Sequence, residues 1–213
     1  MRIAVIGARG ALGRRIVAEG LHKGHNVTGV VRRPEQIDDL GPEVVQHVAD
    51  ATDTEAITEL GFGHDVLVTT TRPSSGHEND LVVAAKAMLE GAAAADVRIL
   101  LVGGAGSLVV PGTAGRTVID DPHFMHPAAL PIAKACGEQL AACRAHQRAD
   151  WTYLSPAASL QPGVRTGSYR LGTDELVVDS RGRSHISMED LAVALLDEAE
   201  HPQHRGRRFT VAY

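Results

Sequence analysis

Aromatic residues supply only 3% of this chain, as one Trp, three Tyr and three Phe among 213 residues. A core so poor in rings must be built from Val, Leu, Ile and Ala, which suits parallel strands covered by helices. There is no excess of positive charge. The net charge of −5 favours solubility and gives no electrostatic case for nucleic acid or an anionic membrane as a partner. No apolar run approaches the length of a bilayer span. Met1-Arg2 leads straight into a strand-like run, so no signal peptide is expected. Cysteine occurs only at Cys136 and Cys143, on an expected helix. Seven residues of helix separate them by about 10 Å, too far for a disulfide. They are expected to be reduced and partly buried, with the cytoplasm as default location.

What is present is the composition of an ordinary globular protein, 44% apolar and 22% charged. The length suits one α/β domain over residues 1–213. No internal repeat or linker interrupts it. Strand-like and helix-like runs alternate. Strands are expected at Arg2–Ile6, Asn26–Val31, Val44–Val48, Val66–Thr71, Arg98–Val102, Trp151–Leu154 and Arg208–Val211. Helices are expected at Leu12–Lys23 (with Gly24 as terminator), Thr54–Leu60, Glu78–Ala95, Leu130–Ala149 and, after an N-cap at Ser187, to about Glu200. This alternation predicts a Rossmann-type doubly wound parallel sheet with a small C-terminal substrate-side portion. The stretch from Gly103 to about Pro127 reads as a long irregular loop, functional or mobile.

Gly7-Ala8-Arg9-Gly10-Ala11-Leu12-Gly13 joins the first strand to the first helix. Gly7 permits a tight turn, Gly10 lets the backbone approach a pyrophosphate, and Gly13 lets the helix pack closely. The phosphates then meet the free N–H groups at the helix start, including Ala11 and Leu12. After strand 2, an acid would hold the ribose 2′-OH of NAD. Arg32 and Arg33 stand there instead, matching the 2′-phosphate of NADP(H), with Arg9 as a second clamp. The alternative for this pair is a solvated basic turn. Asp50 either accepts the adenine amino hydrogens or N-caps the next helix. At the end of strand 4, the backbone of Thr70, Thr71 and Arg72 is expected to pass the cofactor.

These residues, with Val31-Arg32-Arg33-Pro34, Ala49-Asp50-Ala51, Val102-Gly103-Gly104-Ala105-Gly106-Ser107-Leu108 and Trp151-Thr152-Tyr153-Leu154-Ser155-Pro156-Ala157, resemble the atypical short-chain dehydrogenase/reductases. The closer resemblance is to their NAD(P)H-binding subgroup of NmrA-like and biliverdin-reductase-B-like proteins. Gly167 to Gly172, Ile186 to Ala192 and Arg208 to Val211 extend the likeness over nearly the whole chain. It implies the fold, NADP(H), and cofactor contacts at Ala51, Gly103, Ser155 and Pro156. One departure stands out. The usual tyrosine with lysine four residues later is missing: the lysines are Lys23, Lys86 and Lys134, and none follows Tyr153, Tyr169 or Tyr213 at that spacing.

Hydride transfer needs an electrophile beside the cofactor and a group that handles a proton. Ser107 after strand 5 either hydrogen-bonds a substrate oxygen or serves as a turn residue. His126, with His123 three residues earlier, either donates a proton or is a surface loop histidine. No third ligand at a matching spacing makes a metal site of them. Lys134 either orients the nicotinamide ribose or is solvated. Tyr169 and Arg170 are candidates for the substrate wall. Two functions compete: an NADPH-dependent reductase of a small conjugated or carbonyl-bearing molecule, and a non-catalytic NADP(H)-binding redox sensor. A nucleotide-sugar or isoflavone-type enzyme fits less well, because the C-terminal part is short for a full substrate domain. A homo-oligomer is compatible with the chain.

Overall fold

A computed structural model of the chain describes residues 1–36 and 40–213. Alternation builds its layers. In β1 (Arg2–Ile6), Ile3 and Val5 face one way and Ala4 and Ile6 the other, and all four are buried. A strand buried on both faces needs helices on both. Ile3 and Val5 join Ile16 and Val17 of α1 (Ala11–His22) and Leu191 and Leu195 of α5 (Met188–Glu200) in one core cluster. Ala4 and Ile6 join a second cluster. It holds Ile57 of α2 (Thr54–Phe62), Met88 of α3 (Asp80–Ala94) and Leu140 of α4 (Leu130–Ala145).

Between these layers runs an eight-stranded sheet. It comprises β1, β2 (Asn26–Val31), β3 (Val45–Val48), β4 (Val66–Thr69), β5 (Arg98–Val102), β6 (Trp151–Ser155), β8 (Arg170–Gly172) and β10 (Arg207–Ala212), in the order β3-β2-β1-β4-β5-β6-β10-β8. Every pairing is parallel except that of β10 with β8. β7 (Ser159–Gln161) and β9 (His185–Ser187) form a separate parallel pair. The strand order reverses direction between β1 and β4. Their carboxyl ends therefore open the crevice where ligands bind in such sheets.

Most expected elements are present within one or two residues. Gly24, at φ +78°, ends α1, and Ser187 caps α5 by accepting the Asp190 amide at 3.0 Å. Three expectations are corrected. The helix at Leu130 ends at Ala145 and not at Ala149, because His146 turns extended and its Nδ1 accepts the Ala149 amide at 3.0 Å. β4 stops at Thr69, where the chain bends over the glycine turn. The three-residue strands β7, β8 and β9 add to the expected set.

The stretch after β5 has its own small core. Leu108, Val110, Val118 and Leu176 are buried together there, with Phe124 and Met125 against them. Val109 lies between Thr117 and Glu175, donating to Asp174 O and accepting from Leu176 N. The stretch is irregular, as the sequence predicts, with turns, isolated bridges and one short 3₁₀ helix, yet it packs on its own apolar cluster. Among the described residues, no helix is long and apolar enough to cross a membrane.

Candidate functional site

Gly7 follows β1 with φ +88°, a conformation that costs a side chain dearly and glycine little. A Cβ there would also press on Thr70 at 3.1 Å, so the β4 end and the glycine turn touch at the crevice. Gly13 is needed more strictly. Its Cβ would lie 2.2 Å from the Gly7 carbonyl oxygen and 2.9 Å from Ala8 Cα. The first turn of α1 thus packs on the turn's own backbone, a closer partner than the sheet. Gly10 differs: a Cβ there would meet only the Gly7 carbonyl, at 3.2 Å, and otherwise faces outward.

α1 has no side-chain cap and no acid in its first turn, and Gly10 is its N-cap. Its first amides and the positive end of its dipole are therefore available to an anion. This Cβ-free cradle, with an uncapped helix behind it, fits the pyrophosphate of a dinucleotide. Arg9, Arg32 and Arg33 are exposed around the same edge. Arg32 lies close enough to Asp50 to help hold its carboxyl below the usual range, after the larger effect of hydrogen bonds from the Thr52 amide and hydroxyl at 2.9 and 2.8 Å. Asp50 does not cap α2. Asp53 does, accepting the amides of Glu55 and Ala56 at 3.0 and 3.2 Å. Ala51 and Thr71 are half-buried beside these ends, and Arg72 is exposed.

At the end of β5, small residues let α4 lie directly on the chain. A Cβ on Gly104 would touch Cys136 at 3.1 Å, and one on Gly106 would touch Ala133 at 3.2 Å. Cys136 also feels the Arg72 guanidinium; burial pushes its thiol up to about 11, and Arg72 pulls the other way. Residues from β4, β5 and α4 therefore converge at one end of the sheet. Gly103 is there for a packing reason: its Cβ would sit 1.7 Å from the Tyr153 hydroxyl. Ser155 and Pro156 are buried at the β6 end, and Ser155 Oγ has no partner among the described residues.

Each tyrosine hydroxyl is already engaged. Tyr153 is fully buried and donates to Cys136 O at 2.8 Å; burial pushes its ionisation well up. Tyr169 donates to Asp197 at 2.5 Å, and Tyr213 to Asp190 at 2.6 Å. Arg170 is held by the carbonyls of Val178 and Tyr213. The polar groups of Tyr169 and Arg170 are thus tied to the fold.

Among the other expected residues, His126 is exposed and its Nδ1 accepts the Ala128 amide at 3.2 Å, capping a turn of 3₁₀ helix at Pro127–Ala129. A neutral ring must then carry its proton on Nε2. His123 stacks edge-on to Phe124, not on His126. Lys134 is exposed on α4, between the buried Ala133 and Ala135.

Ser107 is held differently from both. Its Oγ accepts from Arg208 Nη1 at 2.8 Å. Arg208 lies on β10, 6% exposed, and pairs with Asp174. Sequence reading missed this arginine. Arg207-Arg208 looks like the solvated start of a strand, whereas in the fold Arg208 is buried with Ser107 and Asp174 as its partners.

The chain matches a family model described as NAD(P)H-binding over residues 7–202. It is 37% identical to the protein YwnB of Bacillus subtilis (strain 168), over 99% of this chain and 98% of that one. A solved structure of a candidate epimerase from Bacteroides thetaiotaomicron superposes with a TM-score of 0.89 at 38% identity, over 100% of this chain and 96% of that one. A candidate NADH-flavin reductase from Streptococcus pneumoniae superposes with a TM-score of 0.87 at 29% identity, over 100% and 99% of the two chains. Together with the Cβ-free cradle at the β1/β4 crevice, these matches place the chain in the NAD(P)H-binding family, among the Rossmann-fold proteins akin to the atypical short-chain dehydrogenase/reductases.

Proposed function

We propose that the protein is an NADPH-dependent reductase of a small conjugated or carbonyl-bearing acceptor. The observation that carries this reading is the state of Ser107. Its Oγ accepts from Arg208, and no acceptor for its own hydrogen lies among the described residues. A hydroxyl so held is a hydrogen-bond donor looking for an oxygen, at the strand end where the family's fold brings substrate to cofactor.

In this reading the α1 amides and the glycine turn hold the pyrophosphate. Arg32 and Arg33, with Arg9, take the 2′-phosphate, which selects NADPH over NADH. The backbone at Thr70, Thr71, Arg72 and Gly103 lines the nicotinamide path, with Ser155 and Pro156 at its far side and Asp50 and Ala51 near the adenine. When bound, the cofactor supplies the hydride. Ser107 binds the acceptor oxygen and orients the reacting carbon, without the tyrosine that related enzymes use. His126 Nε2 and Lys134, both open to solvent, serve in this reading as the groups that relay a proton. The flavin reductase name of the pneumococcal relative supports a flat, conjugated acceptor. The protein works in the cytoplasm on a small molecule, as a single domain or a homo-oligomer, with neither nucleic acid nor membrane as partner.

A second reading is favoured by one observation: all three tyrosine hydroxyls are engaged elsewhere. In it the protein binds NADP(H) as a redox sensor and does no chemistry. NADPH oxidation against a panel of quinones, flavins, enones and aldehydes separates the two. The reductase reading expects turnover of at least one class. Tight cofactor binding with no turnover of any acceptor contradicts it and leaves the sensor.

A further inference from the structure

We propose that Arg208 is a positioning residue, which fixes the Ser107 hydroxyl as an oxyanion donor and so restricts the site to acceptors whose oxygen gains charge. The inference rests on the reductase reading and adds to it a second residue and a substrate class.

A buried guanidinium is costly. Removing one from water costs several kcal/mol unless partners repay it. Arg208 is poorly repaid: among the described residues its buried Nε has no partner, and the carboxylate it pairs with, Asp174, has a side chain 64% exposed. Stability alone does not account for keeping it there. Its remaining contact does. Nη1 reaches Ser107 Oγ at 2.8 Å, and a guanidinium has no lone pair to offer. Ser107 must accept, which consumes an oxygen lone pair and leaves the hydroxyl hydrogen free to donate. Without Arg208 the same rotor could turn inward. The positive charge behind the oxygen also polarises the O–H, and a charge-assisted chain of this kind strengthens the outer bond.

Such a donor favours an oxygen that becomes negative over one that stays neutral. Aldehydes, ketones, enones and quinones meet this condition. On reduction the acceptor carbon gains a C–H bond, the C=O electron pair moves onto oxygen, and the dihydronicotinamide is left oxidised. A water proton then neutralises the oxygen. Ser107 keeps its own proton throughout. Arg208 never touches the acceptor and acts only through Ser107.

The test is a double-mutant cycle of Ser107→Ala and Arg208→Met with two readouts. The first is steady-state reduction of a quinone by NADPH. The second needs no turnover: binding of 4-nitrophenol to the NADP⁺ complex, followed by its visible phenolate absorbance. Each single variant is expected to lower kcat roughly 100-fold, with the KM for NADPH unchanged. Each is expected to weaken phenolate binding about tenfold. In both readouts the double variant is expected to lose no more than the worse single one, because both remove the same interaction. Arg208→Lys, which keeps the buried cation, is expected to retain more kcat than Arg208→Met and guards against a mere folding defect. Losses that multiply in the double variant, or an Arg208→Met that melts earlier yet reduces quinone and binds phenolate like the wild type, overturn the proposal. A wild type that reduces no acceptor refutes the reductase reading, while the phenolate cycle still decides whether Arg208 acts through Ser107.

Discussion

Two alanines, three residues apart in the glycine turn, are expected to do opposite things. In Gly13→Ala the new Cβ would lie 2.2 Å from the Gly7 carbonyl oxygen and 2.9 Å from Ala8 Cα. Both are backbone atoms, in a turn already fixed by the Gly10 N to Gly7 O bond of 3.0 Å. Relief requires α1 to shift off the turn, and overpacking of this kind costs about 1–3 kcal/mol. For a domain of this size that lowers Tm by roughly 2–12 °C. The shift also displaces the amides proposed to hold the pyrophosphate. In Gly10→Ala the only close neighbour is the Gly7 carbonyl at 3.2 Å, and the backbone is in an extended conformation open to alanine (φ −62°, ψ 160°). A slight squeeze is offset by the reduced entropy of the unfolded chain, about 0.4–1 kcal/mol. Stability should hardly move. The methyl points into the open space proposed for the pyrophosphate, so the Kd for NADPH should rise at least about tenfold, or roughly 1.4 kcal/mol. Urea unfolding without cofactor and titration of dihydronicotinamide fluorescence separate the two effects. A Gly10→Ala variant that binds NADPH like the wild type, or a Gly13→Ala variant that melts with it, refutes this reasoning.

Other perturbations follow the same geometry. Tyr153→Phe removes a hydroxyl bonded to Cys136 O and should cost about 1–2 kcal/mol in urea unfolding while kcat stays within about threefold, since Tyr153 is no proton donor here. A large loss of kcat at unchanged stability contradicts that. Glu198→Ala strands the buried Arg98 guanidinium, now paired at 2.5 Å, and should destabilise by about 3–5 kcal/mol. The same denaturation series measures it. Asp190 is fully buried. Burial pushes its carboxyl up, but bonds from the Thr166 and Tyr213 hydroxyls and from the Gly167 and Thr166 amides outweigh this and hold it low. Its stabilisation is therefore complete above the unfolded value near pH 4 and fades as pH falls toward the lower folded value. Asp190→Asn should flatten the fall of stability below about pH 4; an unchanged acid limb counts against it.

Much of the fold was legible because its signals are local. The β1–turn–α1 unit can be read from four apolar residues and three glycines. Ser187 announces α5 by its own chemistry. Less local features were hidden. β7 and β9 are three residues each and pair across 26 positions, so neither carries a pattern of its own. The end of α4 depends on one histidine ring taking an amide, within a run whose alanines continue the helical look. The glycines of the turn could be assigned to a cofactor from their place after a strand, yet Gly103 answers first to Tyr153, fifty residues on. Arg208 is the clearest case. Nothing near it in sequence marks it as buried, because Asp174 and Ser107 come from distant segments.

Parallel titrations of NADPH and NADH test most directly whether the crevice takes NADPH. Dihydronicotinamide fluorescence at low salt reports both affinities, with Arg32→Ala/Arg33→Ala alongside the wild type. Two guanidinium groups on the 2′-phosphate should make NADPH at least about tenfold tighter than NADH, and the double variant should lose most of that preference. Equal affinities, or tighter binding of NADH by the wild type, would contradict the account.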